Sequence, residues 1–327
     1  MPPFEKSDVL TTDVKEHVSM DEPTKAAPWK HEYIVQNIVF FLYCYIAGVY
    51  GVYMCFTTAK WWSVVYMFVV FVTGTIGIIA GAHRLWAHKA FKVKKPLEIF
   101  LMLCHCLAYQ RTLVTWVRDH RLHHKYSDTD ADPHNSSRGF FFSHIGWLLV
   151  KNHPEVEKRK GLVDMSDVYA NPVLMYQKRN AKWLLPLISF GVPVGIHYML
   201  GESFSVCWHL NILRYMLDSN LTFLTNSLAH SWGYRPYDKT MVACQNFPLL
   251  LATMGDGFHN FHHAFPWDYR GAELGNGCIN HVTKFIDFCA SKGWAYDLKV
   301  ASESVIRNRM KRTGDGTDLW GKKLVEF

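Results

Sequence analysis

Two long uncharged runs constrain the fold of this chain more than any other feature of its sequence. Residues Ile38 to Phe56 and Trp61 to Ala82 contain no Asp, Glu, Lys or Arg. As a helix, each run is long enough to cross the roughly 30 Å hydrocarbon core of a bilayer. Charged residues make up only 19% of the chain, below the roughly 25% usual in soluble proteins. We therefore expect a membrane protein, not a soluble, coiled-coil or disordered one.

Two further apolar runs predict two more spans. Trp183 to Gly201 contains two prolines that we expect to bend it. Ser205 to His230 is interrupted by Arg214 and Asp218, which can pair because residues four apart share a helix face. The prediction is an all-α membrane protein with four transmembrane helices in two hairpins and a cytosolic helical cap. We expect a disordered tail over 1–32, a membrane domain over 33–312 and a C-terminal tail over 313–327. The four spans are expected near 34–57, 61–82, 183–203 and 205–230.

The distribution of charge predicts the orientation of these spans. The segment from His83 to Lys182 carries seventeen Lys and Arg, the segment from Ser231 onward carries twelve, and Lys60 is the only basic residue between the first two spans. By the positive-inside rule both basic segments are cytosolic, and so are both termini. A net charge of +7 is also found in nucleic-acid-binding proteins, but the chain shows no recognition module. The eight cysteines include no CxxC spacing, which favours free thiols in a reducing compartment.

Histidine is the residue type that points to chemistry, with eighteen copies. Eight of these fall in three clusters, namely His83 and His88, then His120, His123 and His124, and then His259, His262 and His263. In the last two clusters, offsets of three and four put the imidazoles on one helix face. The two histidines of the first cluster are five apart, which a straight helix separates by about 140°, so they converge only if the helix ends or bends there. A further pair, Asn226 and His230, closes the fourth predicted span.

All of these side chains are expected at the cytosolic side of the membrane. Neutral imidazole suits Zn, Cu, Fe and Ni, and nine imidazoles exceed the four ligands of a structural zinc site. Because the clusters contain no thiolate or carboxylate, we predict two iron ions that serve oxygen chemistry. The other nine histidines are interpreted as structural, with His144 and His153 as possible partners of the second cluster.

Five sequence motifs resemble the integral-membrane acyl-CoA desaturases of the stearoyl-CoA desaturase type, and in particular those of moths. The motifs are Gly81-Ala-His-Arg-Leu-Trp-Ala-His88, Trp116-Val-Arg-Asp-His-Arg-Leu-His-His-Lys125, Thr129-Asp-Ala-Asp-Pro-His-Asn135, Arg235-Pro-Tyr-Asp-Lys239 and Gly257-Phe-His-Asn-Phe-His-His-Ala-Phe-Pro-Trp-Asp-Tyr-Arg270. The resemblance extends from about Trp29 to Arg312. It implies that nine histidines ligate the two irons and that Asn226 holds an iron-bound water. The implied ligands are His83, His88, His120, His123, His124, His230, His259, His262 and His263.

The same resemblance implies a reaction and its partners. The expected enzyme uses O₂ to introduce a cis double bond into a saturated acyl-CoA, with electrons from cytochrome b5 and an NADH-dependent reductase, in the endoplasmic reticulum membrane. The implied contacts to the CoA head group are Trp116, Arg118 and Asp119, with Lys151 and Asn37 as further contacts; a solvated basic face or the end of a span would explain the last two equally well.

The position of the new double bond is inferred from departures within the family. Arg111 stands where Asn is common, Thr115 stands where an acid is common, and Asp256 stands where insect C9 enzymes have Glu. These departures favour an enzyme that introduces the double bond at C11 of the acyl chain, as in the synthesis of sex-pheromone precursors. The alternatives are a C9 desaturase of general lipid metabolism and a membrane diiron hydroxylase. A membrane carrier of zinc or copper would instead place its ligands inside the spans.

The closed end of the substrate tunnel is expected on the second span. The resemblance puts it at Met67 and Phe71, which lie one turn apart on the same helix face. A bulky Phe71 would shorten the tunnel and favour shorter acyl chains. The alternative is that both side chains simply pack against neighbouring helices.

Overall fold

The computed structural model describes residues 29–273 and 280–324. The part of the chain from Glu32 onward forms a single unit. Most of the predicted tail over 1–32, the last three residues and Cys278 lie outside the described residues, and the other seven cysteines are free thiols. The helices are α1 (Val35–Thr57), α2 (Trp61–Ile76), α3 (Lys95–Ala108), α4 (Leu113–Tyr126), α5 (Trp147–Leu149), α6 (Pro154–Arg159), α7 (Ser166–Ala170), α8 (Pro172–Pro186), α9 (Val192–Met199), α10 (Phe204–Ser227), α11 (Phe247–Ala252), α12 (His259–Ala264), α13 (His281–Ser291) and α14 (Glu303–Thr313). Two short strands, β1 (Lys92–Val93) and β2 (Ala295–Tyr296), pair antiparallel.

The two uncharged runs form the two most apolar long helices. The first run lies within α1, and the second begins α2, which continues without a break into a wider π-helical segment, Gly77–Ala87. Among the described residues these two helices are long and apolar enough to cross a membrane. The pair α3 and α4 would add a third span only if it counted as one helix, and it is bent by 84°. The expectation of a mostly helical chain with helices long and apolar enough to span a membrane is therefore confirmed, whereas four spans and their orientation remain predictions.

The third and fourth apolar runs are also helical. The third extends from α8 through a π-helical segment, Leu187–Gly191, into α9. Pro186 ends α8 and Pro193 lies in the first turn of α9, so the prolines flank the wide turn, as expected for residues that disturb regular hydrogen bonding. The fourth run forms α10, whose first turn is capped by the side chain of Ser203.

Glycines allow the long helices to approach closely. A Cβ atom at Gly51 of α1 would lie 2.6 Å from the carbonyl oxygen of His209 in α10. A Cβ atom at Gly77 would lie 2.2 Å from the backbone of Cys104 and His105 in α3. Neither position can hold a larger residue without moving a backbone, which is the small-residue packing typical of membrane helices.

A buried ion pair ties four helical segments together. Arg214 donates to Asp218 at 3.0 Å, as their spacing predicts, and both side chains are buried. The guanidinium also donates to the carbonyl oxygens of Leu107 and Ser189, and the carboxylate accepts from Thr75 in α2. Because every charge has several partners, this pair can remain inside a membrane bundle.

Candidate metal centre and substrate cleft

The π-helical segment after α2 brings the first two histidines together. Its hydrogen bonds join residues five apart, and the backbone N–H of His88 donates to the carbonyl oxygen of His83 at 3.1 Å. A spacing of five therefore corresponds to one turn here, and the two imidazole centroids lie 5.0 Å apart. The helix therefore widens between His83 and His88, where the sequence predicted that it would end or bend.

Two short helices carry the other clusters. Thr112 caps the start of α4 by accepting from the backbone of Thr115 at 3.2 Å. On α4, His120 and His124 are four residues apart and belong to one group of converging imidazoles, whereas His123 belongs to another. On α12, His259 and His263 join the group that contains His123, and His262 joins the group that contains His120 and His124.

The nine predicted ligands form two separate groups. In each group one ring nitrogen from every imidazole lies within 4.8 Å of all the others. The larger group is His83, His88, His120, His124 and His262, and the smaller group is His123, His230, His259 and His263. Asn226 belongs to neither group, although it lines the cleft beside them.

The geometry of both groups fits a metal ion. The closest Nε2 pairs lie 2.8 Å apart between His88 and His120, and 2.9 Å apart between His230 and His259. Ligand atoms about 2.0–2.1 Å from a common ion would be roughly 3 Å apart. Burial, followed by the charges of neighbouring groups, holds the pKa of His88, His120 and His259 well below the usual range. Neutral imidazoles with converging lone pairs are the ligands that a metal needs.

Three aspartates orient these histidines, a role that the sequence patterns did not predict for any of the three. Asp256 contacts Nδ1 of His83 at 3.0 Å, Asp132 contacts Nδ1 of His123 at 2.8 Å, and Asp128 contacts Nδ1 of His230 at 3.1 Å. When a carboxylate accepts the Nδ1 proton, the Nε2 lone pair is left to face the ion. The signals were present in the sequence, because Asp132 lies in a motif that carried the resemblance and Asp128 directly precedes it.

Asp256 also binds an arginine. Arg84 donates to its second carboxylate oxygen at 3.0 Å. Burial opposes ionisation of Asp256, but the neighbouring His83 and Arg84 lower its pKa to about 2. The carboxylate is therefore charged at neutral pH and available to the imidazole.

Of the histidines interpreted as structural, His134 lies nearest to the ligands. Its ring centroid is 4.4 Å from that of His123, and one ring nitrogen is 3.6 Å from Asp132. Nε2 of His144 donates to the side-chain oxygen of Asn220 at 3.1 Å, and its Nδ1 contacts the hydroxyl of Ser227 at 3.0 Å, both in α10. His153 caps α6.

Two clefts meet beside the histidine groups. The first has a free volume of about 100 Å³ and runs inward from Arg111 and Trp147. The second has a free volume of about 50 Å³ and extends to Thr75 and Ile78. Both are lined by Trp116, His120, Thr222 and Asn226. Together the two clefts lead from the surface, beside both groups, toward α2.

A polar bridge crosses the junction of the clefts. Gln110 donates to the hydroxyl of Thr222 at 2.8 Å and accepts from the indole N–H of Trp116 at 3.3 Å. The indole in turn stacks on the ring of His120, with centroids 5.0 Å apart. Helix periodicity gave no signal for Gln110 or Thr222, because their contact joins residues more than a hundred positions apart.

At the mouth of the first cleft, one carboxylate is shared by two arginines. Asp119 is buried and lies 2.8 Å from Arg118 and 2.9 Å from Arg111. The guanidinium of Arg111 also lies over the ring of Trp147, 5.0 Å from its centroid. With one carboxylate for two guanidinium groups, the mouth carries a net positive charge.

The other predicted substrate contacts lie at different distances from the cleft. Asn37 donates to the carbonyl oxygen of Leu148, a residue that lines the first cleft. Lys151 is exposed and pairs with Glu32 at 2.6 Å.

Met67 and Phe71 are buried but line neither of the two clefts. Met67 packs in a cluster with Met54 and Leu210, and Phe71 lies one turn before Thr75, where the second cleft ends. Their role at a tunnel end stays a prediction.

Comparisons with known proteins agree with this site. Residues 59–270 match the fatty acid desaturase family. The chain is 53% identical to an acyl-CoA Delta(11) desaturase of Spodoptera littoralis, over 97% of this chain and 96% of that protein. It is 56% identical to an acyl-CoA Delta(11) desaturase of Trichoplusia ni, over 91% of this chain and 86% of that protein. It is 55% identical to a (11Z)-hexadec-11-enoyl-CoA conjugase of Bombyx mori, over 90% of this chain and 89% of that protein. With most of its length matched, and with the family's histidine motifs gathered at one site, the chain belongs to the fatty acid desaturase family.

Proposed function

We propose that this protein is an acyl-CoA Δ11 desaturase that introduces a cis double bond into a saturated acyl-CoA for the synthesis of sex-pheromone precursors. The observation that carries the chemistry is the division of nine imidazoles into groups of five and four beside a cleft. Support for the position comes from the relatives in two moth species that are named Δ11 desaturases.

Each histidine group would hold one iron ion, and Asn226, which lines both clefts, would hold an iron-bound water. When bound, the two irons supply the dioxygen chemistry that removing hydrogen from an unactivated methylene chain requires. The protein fixes the ligands through Asp128, Asp132 and Asp256, which hold the imidazoles in the tautomer that faces the ion.

The remaining residues of the site would bind and orient the substrate. Arg118 and Arg111 place positive charge at the mouth, where the phosphates of CoA would stay in water. The acyl chain would follow the clefts past Trp116, which is fixed by Gln110. The walls there exclude bulk water and set which carbons lie beside the histidine groups.

Electrons would come from cytochrome b5 and its NADH-dependent reductase in the endoplasmic reticulum membrane, with both termini cytosolic. The choice of cytochrome b5 is supported by the net charge of +7, because a basic protein favours an acidic electron carrier.

The test is expression in desaturase-deficient yeast that is fed single saturated acids of defined length. Gas chromatography with location of the double bonds should find cis products unsaturated at C11, and the variant His123→Ala should yield none. Products unsaturated at C9 would contradict the assigned position, and hydroxy acids would contradict desaturation.

A second desaturation is the other candidate activity, because one close relative is named a conjugase. Feeding the (11Z)-monounsaturated acid to the same strain distinguishes the two. A conjugated diene would establish the second activity, and its absence would restrict the enzyme to the first double bond.

A further inference from the structure

A groove on another part of the surface contains none of the histidine ligands. It lies between the start of α3 and the end of α13 and has a free volume of about 510 Å³. Its walls include Leu97, Phe100 and Phe285, with the two aromatic centroids 6.5 Å apart. Lys94, Lys292 and Trp294 also line it.

The surface around this groove is unusually apolar for one that faces water. The exposed fractions of Phe100, Phe288 and Trp294 are 44%, 52% and 47%. Contiguous exposed apolar side chains mark a ligand or membrane contact, and Trp is enriched at the membrane interface.

The two lysines lie at the same end of the groove. The ammonium nitrogen of Lys94 is 3.9 Å from the position that a Cβ atom of Gly293 would occupy, and Gly293 follows Lys292 directly. The backbone N–H of Lys94 also donates to the carbonyl oxygen of Trp294 at 2.8 Å. The ammonium of Lys292 lies over the ring of Phe288, 5.8 Å from its centroid, and both lysines line the groove. Two positive charges therefore border the apolar channel.

The nearby acids are engaged elsewhere. Glu98 pairs with Lys95 and accepts from Asn171, and Asp297 pairs with Lys92. Asp287 accepts from the hydroxyl of Tyr269. Within the described residues, no carboxylate lies within salt-bridge distance of Lys94 or Lys292, so their charge is available to an anion.

We propose that this groove binds an anionic membrane phospholipid, with its phosphate between Lys94 and Lys292 and one acyl chain along Leu97, Phe100 and Phe285. Paired lysines attract the anionic head group, and the apolar channel beside them suits an acyl chain. The site is distinct from the catalytic cleft and does not depend on the position of the double bond that the enzyme makes.

The experiment uses the full chain reconstituted in phosphatidylcholine vesicles that contain a phosphatidylserine with a photoreactive group at the end of one acyl chain. After irradiation, peptides are mapped by mass spectrometry. The double variant Lys94→Glu/Lys292→Glu is compared with Lys239→Glu/Lys322→Glu, which makes the same change in net charge at exposed lysines that do not line the groove.

We expect labelling of peptides from α3 and α13 in the wild type and in the control. In the groove variant it should fall by about tenfold or more, the factor expected for loss of a charge-assisted contact. Inorganic phosphate should not compete, because it lacks the acyl chain.

Three results would overturn the proposal. These are equal labelling in both double variants, equal labelling by a photoreactive phosphatidylcholine, and loss of labelling in the presence of inorganic phosphate alone. None of these readouts depends on desaturase activity.

Discussion

Three aspartates contact the Nδ1 atoms of histidines from both groups. The contacts made by Asp132 and Asp256 join residues nine and 173 positions apart. A carboxylate in this position fixes the ring orientation and increases the basicity of the nitrogen that faces the ion. At the scale of the residue, the affinity for metal should therefore depend on side chains that do not themselves bind the metal.

The variant Asp132→Asn tests this dependence. An amide of the same shape lacks the negative charge that accepts the Nδ1 proton of His123, so iron affinity and turnover should each fall about 10- to 100-fold. Iron retained after dialysis against a chelator is the measurement. Asp130→Asn is the matched control, because Asp130 belongs to the same segment but is 61% exposed and pairs with Arg138. Equal iron retention in the two variants would contradict the prediction.

Arg118 is the second residue whose role can be measured. Its replacement by Ala should raise the KM for acyl-CoA about tenfold or more with little change in kcat, because a hydrogen bond to a charged group contributes about 1.5–3 kcal/mol. Arg307→Ala, which removes an exposed arginine paired only along its own helix, is the control. If Arg118 serves only to hold Asp119, the KM for acyl-CoA will not move, since Arg111 still pairs with that carboxylate.

At the scale of the element, α12 is held in place by one buried amide within its histidine motif. Asn260 accepts from the backbone of Tyr237 at 2.9 Å and donates to the carbonyl oxygens of Asp238 and Ala243. Its side chain is completely buried. Asp238, in the segment that Asn260 fixes, also accepts a hydrogen bond from Arg309 of α14, so α14 braces the element that carries three of the predicted ligands.

The variant Asn260→Ala should destabilise α12 and release iron. Several backbone groups lose their partner, at about 1–3 kcal/mol for each group left unsatisfied, so the melting temperature and the iron content should both fall. Asn180→Ala is the control, since that amide is exposed and bonds only to its own helix. A variant of Asn260 with wild-type melting and full iron content would refute the bracing role.

The second element that can be tested is α2 near the end of the cleft. Phe71 lies one turn before Thr75, so Phe71→Ala should open space beyond the cleft and lengthen the accepted acyl chain by a few carbons without moving the double bond relative to the thioester. The exposed Phe68, whose ring contacts that of Phe71, provides the control Phe68→Ala. An unchanged ratio of products from two chain lengths would show that Phe71 only packs against its neighbours.

At the scale of the whole molecule, local patterns predicted the helices and the ligand types, but they did not predict how distant parts meet. Uncharged runs and the i, i+4 pair of Arg214 and Asp218 depend on neighbours along one helix, so the sequence reveals them. The assignment of His262 to the same group as His83 depends on the widened turn after α2 and on the placement of α12. Contacts such as Asp256 with His83 join segments that no periodicity connects, and the first cleft is lined by residues of four separate helices, α1, α4, α5 and α10.

The iron content of single-histidine variants tests the central claim most directly. His262 belongs to the group of five and His123 to the group of four, and neither lies in a predicted span. The account predicts one iron per group in the purified wild type, loss of the iron from one group in His262→Ala or His123→Ala, and no desaturation by either variant. His281→Ala, at an exposed position on α13, should keep both irons and full activity. Unchanged iron content or retained activity in His262→Ala or His123→Ala would contradict two ions held by separate groups.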